Sequence, residues 1–334
     1  MGWSNSVSVF HGHITYILKD EIPDTARQYI DDITIKGGKT EYKDENGIPE
    51  AISENSGIRR FVYEYLVDLN RVLHRLKRAG VTISAKKISL CVPEISILGH
   101  RCNKNGRIPD NSHVKKILNW PICKSLTDVR AFLGVCNLLR IFVKNYAQKA
   151  SPLIKLTRKD APFEIGTEEI QAMETLKQAV TQYPVLKPME YDKDLPVRLA
   201  VDSSNIAAGW ILFQEDKNGK RHPVRYGSRI WRDHEVRYSQ AKLELLGLLV
   251  ALRAVQPYVM PLQKFTVEVD AEYIKGMINN PESIPNATIS RWVALIRLFD
   301  FELVHVPADK HKAPDGMSRK APTEEDVKEA DSDN

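Results

Sequence analysis

Two short segments of this 334-residue chain each end in an aspartate after an alternating apolar pattern. In PVRLAVD, the apolar residues Val197, Leu199 and Val201 alternate with others up to Asp202, and FTVEVD repeats the plan up to Asp270. Alternation with a period of two predicts strands that bury one face. Each strand therefore presents an aspartate at its C-terminal end, on the face opposite its apolar residues. Two carboxylates placed in this way are half of a candidate metal site.

Two further carboxylates are candidates for the other half. Residues 238–255 show apolar side chains at helical spacing, and Glu244 lies on the margin of that stripe, so we expect it to face the sheet. Asp315 follows a proline in HKAPDGMSR, which is typical of the first turn of a helix. Both have ordinary alternatives. Glu244 could pair with Arg253 or Lys242, and an acid in a first helical turn is favoured by the helix dipole.

Four carboxylates that converge need cations between them. Two unit charges about 4 Å apart repel by on the order of 4 kcal/mol even at an effective dielectric constant of 20. Mg²⁺ and Mn²⁺ are hard cations that prefer oxygen ligands. Two such ions about 3.5–4 Å apart activate a water molecule and stabilise a leaving oxygen. The predicted chemistry is therefore phosphodiester hydrolysis that depends on two Mg²⁺ or Mn²⁺ ions.

The order Asp202, Glu244, Asp270 and Asp315 in a strand–helix–strand–helix frame resembles the four-acid site of ribonuclease H. The flanking segments YSQAKLELLGLLVAL and HVPADKHKAPDGMSR are similar to the RNase H domain of gypsy-type LTR retrotransposon polyproteins. The resemblance implies an endoribonuclease that cuts the RNA strand of RNA–DNA hybrids and leaves a 3′-hydroxyl. It also implies that Asp202 bridges both ions, that Glu244 and Asp270 hold one, and that Asp315 holds the other.

A histidine before the last acid takes part in product or proton transfer in many ribonucleases H. Here His305 ends a predicted strand and His311 lies in the loop that follows. Gypsy-type elements often lack this histidine. We expect His305 to be a packing residue and retain His311 as a candidate.

A second pair of acids, Asp31 and Asp32, lies in the apolar run QYIDDITI. Alone, the pair predicts an ordinary hairpin turn. The helical pattern of residues 3–18 before it, and the segments VLHRLKRAGVTISAKKISL and ILGHRCNKNGRIPD after it, are similar to gypsy-type reverse transcriptases. This resemblance implies that Asp31 and Asp32 occupy the metal-binding turn of the palm, with Lys87 as the later palm lysine and residues 98–100 as the primer-grip hairpin. The family's third carboxylate and its fingers lie upstream of this segment, so we expect no DNA polymerisation from this chain alone.

The middle of the chain predicts first a loop and then helices. Residues 37–57 read as a polar, glycine-rich surface loop, and residues 110–185 as mostly helical, with a capping box at Ser125 and Asp128. The helical part is similar to the thumb and connection of gypsy-type elements, which implies basic side chains that grip the phosphates of a hybrid duplex. A solvated helical face is the alternative. The basic residues are Arg130, Arg140, Lys144, Lys149, Lys155, Arg158 and Lys159.

The expected fold class is α/β (α+β), in several parts. These are a truncated reverse transcriptase palm at 1–105, a helical thumb and connection at 106–190, an RNase H-like domain at 191–320 and a disordered acidic tail at 321–334. In the RNase H-like domain we predict strands at 196–202, 206–213, 224–230, 264–270 and 301–306, and helices at 238–255, 271–278 and 286–298. The resemblance implies that these strands form a mixed five-stranded sheet with flanking helices.

The net charge and the cysteine content limit the classes of partner and the cellular compartment that the sequence predicts. The net charge is +5, but the last thirteen residues carry six acids and one lysine, so the other 321 residues sum to about +10. This excess suits an RNA–DNA hybrid or another nucleic acid. Four cysteines without metal-ligand spacing, and no signal peptide or membrane-spanning run, predict a cytoplasmic or nuclear protein that is not secreted. A catalytically inactive retroelement relic that only binds nucleic acid is the alternative to the nuclease.

Overall fold

The computed structural model describes residues 3–38, 42–191, 193–270, 273–279 and 287–306. The chain divides into two compact units, Met1–Pro93 and Glu94–Asn334. Each unit has a hydrophobic core of its own. Asp315, His311 and the predicted tail at 321–334 lie outside the described residues.

The first unit consists of two helices and two small hairpins. Its elements are α1 (Ser6–Ile17), β1 (Ala26–Tyr29), β2 (Asp32–Ile35), β3 (Ala51–Ile52), β4 (Asn55–Arg59) and α2 (Arg60–Arg78). The core is formed by Ile14 and Leu18 of the first helical segment, Ala26 of β1, and Val72 and Leu76 of α2. The helix predicted at 3–18 is therefore present.

The two aspartates of the first unit lie at a tight hairpin turn. Tyr29 pairs with Asp32, so only Ile30 and Asp31 connect β1 to β2. Ile30 has a φ of 56°, the left-handed conformation that two-residue hairpin turns require and that β-branched residues rarely adopt. Asp31 and Asp32 are both exposed.

The segment predicted as a polar loop at 37–57 is instead partly paired. Strands β3 and β4 form a hairpin within it and just beyond it. In the turn before β3, the Asp44 carboxylate accepts the backbone N–H groups of Asn46 and Ile48 at 2.9 and 2.8 Å. The prediction of a loop was therefore wrong for the residues of β3 and for the part of β4 that lies within 37–57.

The second unit begins with three antiparallel strands. These are β5 (Glu94–Ile97), β6 (His100–Asn103) and β7 (Gly106–Pro109). Leu98 and Gly99 connect the first two strands with φ values of 52° and 78°. The segment 98–100 is therefore a hairpin, as predicted.

Four helices follow this small sheet. They are α3 (Asn111–Leu118), α4 (Leu126–Leu138), α5 (Tyr146–Leu156) and α6 (Thr167–Ala179), which confirms the mostly helical interpretation of 110–185. The Ser125 hydroxyl accepts the N–H of Asp128 at 3.1 Å, as expected for the N-cap of α4. The Asp128 carboxylate accepts the N–H of Lys124 at 3.0 Å rather than that of Ser125. Only half of the predicted capping box is therefore formed.

A mixed five-stranded sheet completes the described part of the second unit. Its strands are β8 (Val197–Ser203), β9 (Ala207–Glu215), β10 (Arg221–Ile230), β11 (Phe265–Val269) and β12 (Phe301–His305), in the order β10-β9-β8-β11-β12. The first three are antiparallel neighbours, whereas β11 runs parallel to both β8 and β12. The accompanying helices are α7 (Gln240–Val259), α8 (Tyr273–Asn279) and α9 (Ala287–Ile296). Every predicted strand and helix of this region is found within a few residues of its expected bounds, and the α/β class is confirmed.

Helices pack against both faces of this sheet. On one face, Leu199 of β8 packs with Leu249 of α7. On the other face, Phe213 of β9 packs with Phe132 of α4 and Leu153 of α5. The helical segment and the sheet therefore share a hydrophobic core. The domain limits at 105/106, 190/191 and 320/321 remain predictions.

Candidate active site

Asp202 and Asp270 lie at the ends of neighbouring parallel strands. Strands β8 and β11 are in register with Ala200 opposite Glu268. Continued by two residues, this register places Asp270 opposite Asp202 on the same face of the sheet, because side chains alternate along each strand. Adjacent strands are about 4.8 Å apart, so the two side chains start from neighbouring positions. Both aspartates are exposed.

The start of α5 packs on the same face, beside Asp202. Gly209 of β9 pairs with Asp202, and Ser228 of β10 pairs with Gly209. A methyl group at Gly209 would collide with the side-chain oxygen of Asn145, the residue before α5. Ser228 Oγ accepts the N–H of Ala147 at 2.9 Å. The close approach of α5 to this row of the sheet therefore requires glycine at position 209.

Glu244 is linked by hydrogen bonds to the end of β8 and to the start of α8, the helix that follows β11. The Gln240 Nε2 group donates to the backbone oxygen of Ser203 at 2.8 Å and to Glu244 Oε1 at 2.9 Å. The Tyr273 hydroxyl donates to Glu244 Oε2 at 2.5 Å. Ser203 ends β8, and Tyr273 begins the helix that follows β11. The carboxylate of Glu244 is therefore directed towards the edge of the sheet where the two aspartates lie.

Tyr273 is a protonated partner of the Glu244 carboxylate. Burial raises the pKa of its phenol well above the ordinary value of 10, and the Glu244 and Asp270 carboxylates raise the pKa further. The phenol is therefore protonated at neutral pH and acts as a donor. On β12, His305 is exposed, and its Nε2 lies 2.8 Å from the backbone oxygen of Asp270; its expected packing role remains a prediction.

The oxygen atoms at this edge suit a hard divalent cation. Asp202, Glu244 and Asp270 offer carboxylates, the ligands that Mg²⁺ and Mn²⁺ prefer. The carboxylate of Asp202 makes no hydrogen bond or ion pair with the described residues, and each oxygen of Glu244 keeps a lone pair for a further partner. Among the described residues, no three His, Cys, Asp or Glu side chains already surround one cation position. Asp315, the fourth predicted ligand, lies outside them.

Comparison with known proteins identifies the domain that carries these residues. Residues 165–267 match the family model of the RNase H-like domain found in reverse transcriptase. This segment is an RNase H-like domain of the reverse-transcriptase type. The match includes Asp202 and Glu244 and ends shortly before Asp270.

The chain is also similar to curated retrotransposon proteins. It is 28% identical over 257 residues to the transposon Tf2-3 and Tf2-4 polyproteins of Schizosaccharomyces pombe. The alignments cover 77% of this chain and 19% of each polyprotein, so the chain spans about a fifth of the length of these relatives. The predicted resemblance to gypsy-type retrotransposon polyproteins is thereby confirmed.

Solved structures of foamy viral protease-reverse transcriptase share the fold. One, described as the dRH form in complex with double-stranded DNA, matches with a TM-score of 0.70 at 21% identity, covering 92% of this chain and 50% of that one. Another, in complex with an RNA/DNA hybrid, matches with a TM-score of 0.66 at 22% identity, covering 97% and 41%. At these identities the likeness shows the fold alone. None of the helices in the described ranges is long and apolar enough to cross a membrane.

A buried ion network near the candidate site of the RNase H-like domain was missed by the sequence analysis. Glu268 is only 3% exposed and accepts hydrogen bonds from Arg221 at 2.8 and 2.9 Å and from Arg198 at 3.2 Å. Glu215 accepts from both arginines as well. The alternating pattern correctly placed Glu268 on the same face as Asp270, but it did not show that this part of the face is buried. The sequence signal for this network was Arg198, a basic residue that the alternating pattern of β8 places on the same face as Asp202.

Three residues with predicted roles in the palm, Asp31, Asp32 and Lys87, lie in the first unit. Asp31 and Asp32 are exposed at the hairpin turn of the first unit, and Lys87 is exposed as well. Their metal-binding and palm roles remain predictions.

Part of the predicted phosphate grip serves the fold itself. Arg140 donates to the backbone oxygen of Ser228 at 2.7 Å, and Arg158 pairs with Asp233. Among the others, Arg130, Lys155 and Lys159 are exposed. The basic segment is therefore partly a set of ties between the helices and the sheet, and the exposed members are the better candidates for contact with nucleic acid.

Proposed function

We propose that this chain is a metal-dependent ribonuclease that hydrolyses the RNA strand of RNA–DNA hybrids. The observation that carries the proposal is that Asp202 and Asp270 follow each other's register at adjacent strand ends, with Glu244 bonded to Gln240 and Tyr273 beside them. The RNase H-like family match and the likeness to a reverse transcriptase solved with an RNA/DNA hybrid support the substrate class. Two Mg²⁺ or Mn²⁺ ions, held by these three residues and Asp315, would supply the activated water and the stabilised leaving oxygen.

The residues of the chain would prepare this site in three ways. Asp202 has no partner among the described residues, so its oxygens are open to a cation. Gln240 and Tyr273 restrict the carboxylate of Glu244 to one orientation. The nearby arginine network is satisfied by Glu268 and its neighbour Glu215, so its positive charges do not compete for the exposed acids.

A cleavage assay with labelled RNA–DNA hybrid in Mg²⁺ or Mn²⁺ tests the proposal. We expect wild-type protein to release RNA fragments with 3′-hydroxyl ends, and Asp202→Asn to reduce cleavage to background while hybrid binding is retained. Asp300→Asn is the matched control, because it removes one exposed carboxylate just before β12, at the opposite end of the parallel strands from Asp270, and should leave the rate unchanged. Equal inertness of wild type and Asp202→Asn, with hybrid bound by both, would contradict the proposal.

The second candidate is a retroelement relic that binds nucleic acid without turnover. It is supported by the likeness to a reverse transcriptase solved with an RNA/DNA hybrid, which bears on binding and not on turnover. We further propose that the chain does not extend a DNA primer by itself, in spite of Asp31 and Asp32. A primer-extension assay on an RNA template, with intact reverse transcriptase as the positive control, tests this part separately.

A further inference from the structure

Both oxygens of the Glu244 carboxylate are engaged by side chains that lie at different ends of the site. Gln240 precedes Glu244 by about one turn of α7, and Tyr273 belongs to α8. A glutamate side chain has three rotatable bonds and loses appreciable entropy when it is fixed. Two hydrogen bonds that converge on it therefore define an orientation that Glu244 would not keep by itself.

Gln240 relates Glu244 to the strand that ends in Asp202. Its single amide nitrogen carries two protons and donates to two acceptors, the Ser203 backbone oxygen at 2.8 Å and Glu244 Oε1 at 2.9 Å. Because Ser203 immediately follows Asp202, the amide forms a bridge between this strand end and the Glu244 carboxylate.

Tyr273 relates Glu244 to the other strand end. Its hydroxyl donates to Glu244 Oε2 at 2.5 Å, within the range of hydrogen bonds to a charged carboxylate. Tyr273 is the first residue of α8, the helix that follows β11 and Asp270 along the chain. The two donors thus connect Glu244 to the end of the strand that carries Asp202 and to the helix that follows Asp270.

We propose that Gln240 and Tyr273 are positioning residues that hold Glu244 where it can share a cation with the two aspartates. This inference rests on the proposed function, since it assumes that Glu244 is a metal ligand. Groups that hydrogen-bond to ligating carboxylates typically change metal affinity by about 10- to 100-fold when they are removed. Each oxygen of Glu244 still has a free lone pair, so the hydrogen bonds and the cation do not exclude one another.

Metal affinity without nucleic acid is the measurement that isolates positioning of Glu244. Mn²⁺ is titrated calorimetrically into the full chain as wild type, Tyr273→Phe, Gln240→Met and the double variant. We expect each single variant to bind Mn²⁺ about 10-fold or more weakly. The two effects should be non-additive, because both residues hold the same carboxylate. Tyr191→Phe is the matched control: it removes a phenol hydroxyl that bonds the Tyr258 backbone oxygen at 3.1 Å, outside the site, and should leave Mn²⁺ affinity unchanged.

A second readout distinguishes positioning of Glu244 from direct contact between Tyr273 and nucleic acid. Hybrid binding is measured by fluorescence anisotropy in EDTA, and we expect the same Kd for wild type and Tyr273→Phe. Unchanged Mn²⁺ affinity in both single variants overturns the proposal, as does loss of hybrid affinity in EDTA with Mn²⁺ binding intact, which would make Tyr273 a nucleic-acid contact. Absence of Mn²⁺ binding by wild type also overturns it. The nuclease proposal is decided separately by hybrid cleavage, so lost metal affinity in the variants together with an inert wild type would support positioning and reject turnover.

Discussion

Replacing Gly247 with alanine should destabilise the second unit, and removing one hydroxyl from the facing strand should reverse the effect. Gly247 lies in α7 against the end of β8. A methyl group there would collide with Ser203 Oγ but would lie at an ordinary contact distance of 3.4 Å from the Cβ atoms of Ser203 and Ala208. The conflict is therefore with a single hydroxyl group, next to the residue Asp202.

The expected free energies follow from this geometry. Overpacking costs about 1–3 kcal/mol, and alanine in place of glycine inside a helix recovers up to about 1 kcal/mol, so Gly247→Ala should lose about 1 kcal/mol of unfolding free energy. Ser203 Oγ is buried without a hydrogen-bond partner among the described residues, so Ser203→Ala should gain about 1 kcal/mol. In the double variant, the higher helix propensity of alanine at position 247 adds to the gain from Ser203→Ala. The unfolding free energy of the double variant should therefore exceed that of wild type by about 2 kcal/mol.

Urea denaturation followed by tryptophan fluorescence measures these differences. Four of the five tryptophans, Trp120, Trp210, Trp231 and Trp292, belong to the second unit, so the signal reports mainly on that unit. The four proteins form a double-mutant cycle, and the interaction term should be near 2 kcal/mol, because the two substitutions act on the same contact. If Gly247→Ala costs the same in both backgrounds, within about 0.5 kcal/mol, the close approach of α7 to β8 is not what limits position 247.

Three further predictions concern the ion network of Glu268, the N-cap residue Asp110 of α3, and the core that the helices share with the sheet. Glu268→Gln should lower the urea midpoint of the second unit, with a cost of about 3 kcal/mol, because it leaves two arginines without their buried partner. Hydrogen bonds from Ser112 lower the pKa of Asp110 to about 2 from 3.8; its stabilising effect is complete above the unfolded value and is lost as the pH falls through about 2. Asp110→Ala should therefore cost about 1 kcal/mol at pH 7 and nothing below pH 2, as measured by urea midpoints. Phe213→Ala should cost about 3–5 kcal/mol in one transition seen by both helical circular dichroism and fluorescence; two separate transitions would show that the helices and the sheet do not share a core.

The strands of the site could be predicted because the pattern that defines them lies within a few consecutive residues. The apolar residues of β8 and β11 alternate along the sequence, and the aspartate that ends each strand is in phase with that alternation. The direction of Glu244 could also be inferred, because it interrupts a helical apolar stripe. The contact between Glu244 and Tyr273 could not be inferred from the sequence. Tyr273 is 29 residues away, and its hydroxyl reaches Glu244 only after α8 has packed beside α7.

The errors of the sequence analysis have a common physical origin. The hairpin of β3 and β4 shows no apolar alternation in the sequence, and the interior position of Glu268 depends on ion pairs with arginines from other strands. A period-two pattern records which face of a strand each residue occupies, but it does not record which face is covered. Phe213 of β9 pairs with Arg198 of β8 and is covered by helices from earlier in the chain, so the face that Arg198 shares with Phe213 is partly buried.

This packing also explains how acidic side chains can remain uncompensated at one edge of a sheet that contains arginines. Arg198 is on the same face as Asp202, but it lies four residues earlier on β8, roughly 13 Å along the strand. It is bound to Glu215 and Glu268, as is Arg221. Glu215 and Glu268 thus pair with the two arginines. The exposed Asp202 and Asp270 have no protein counter-ion among the described residues. A bound cation, rather than the fold, would then relieve the repulsion between neighbouring carboxylates, which is the condition that the proposed site for hard divalent metals must satisfy.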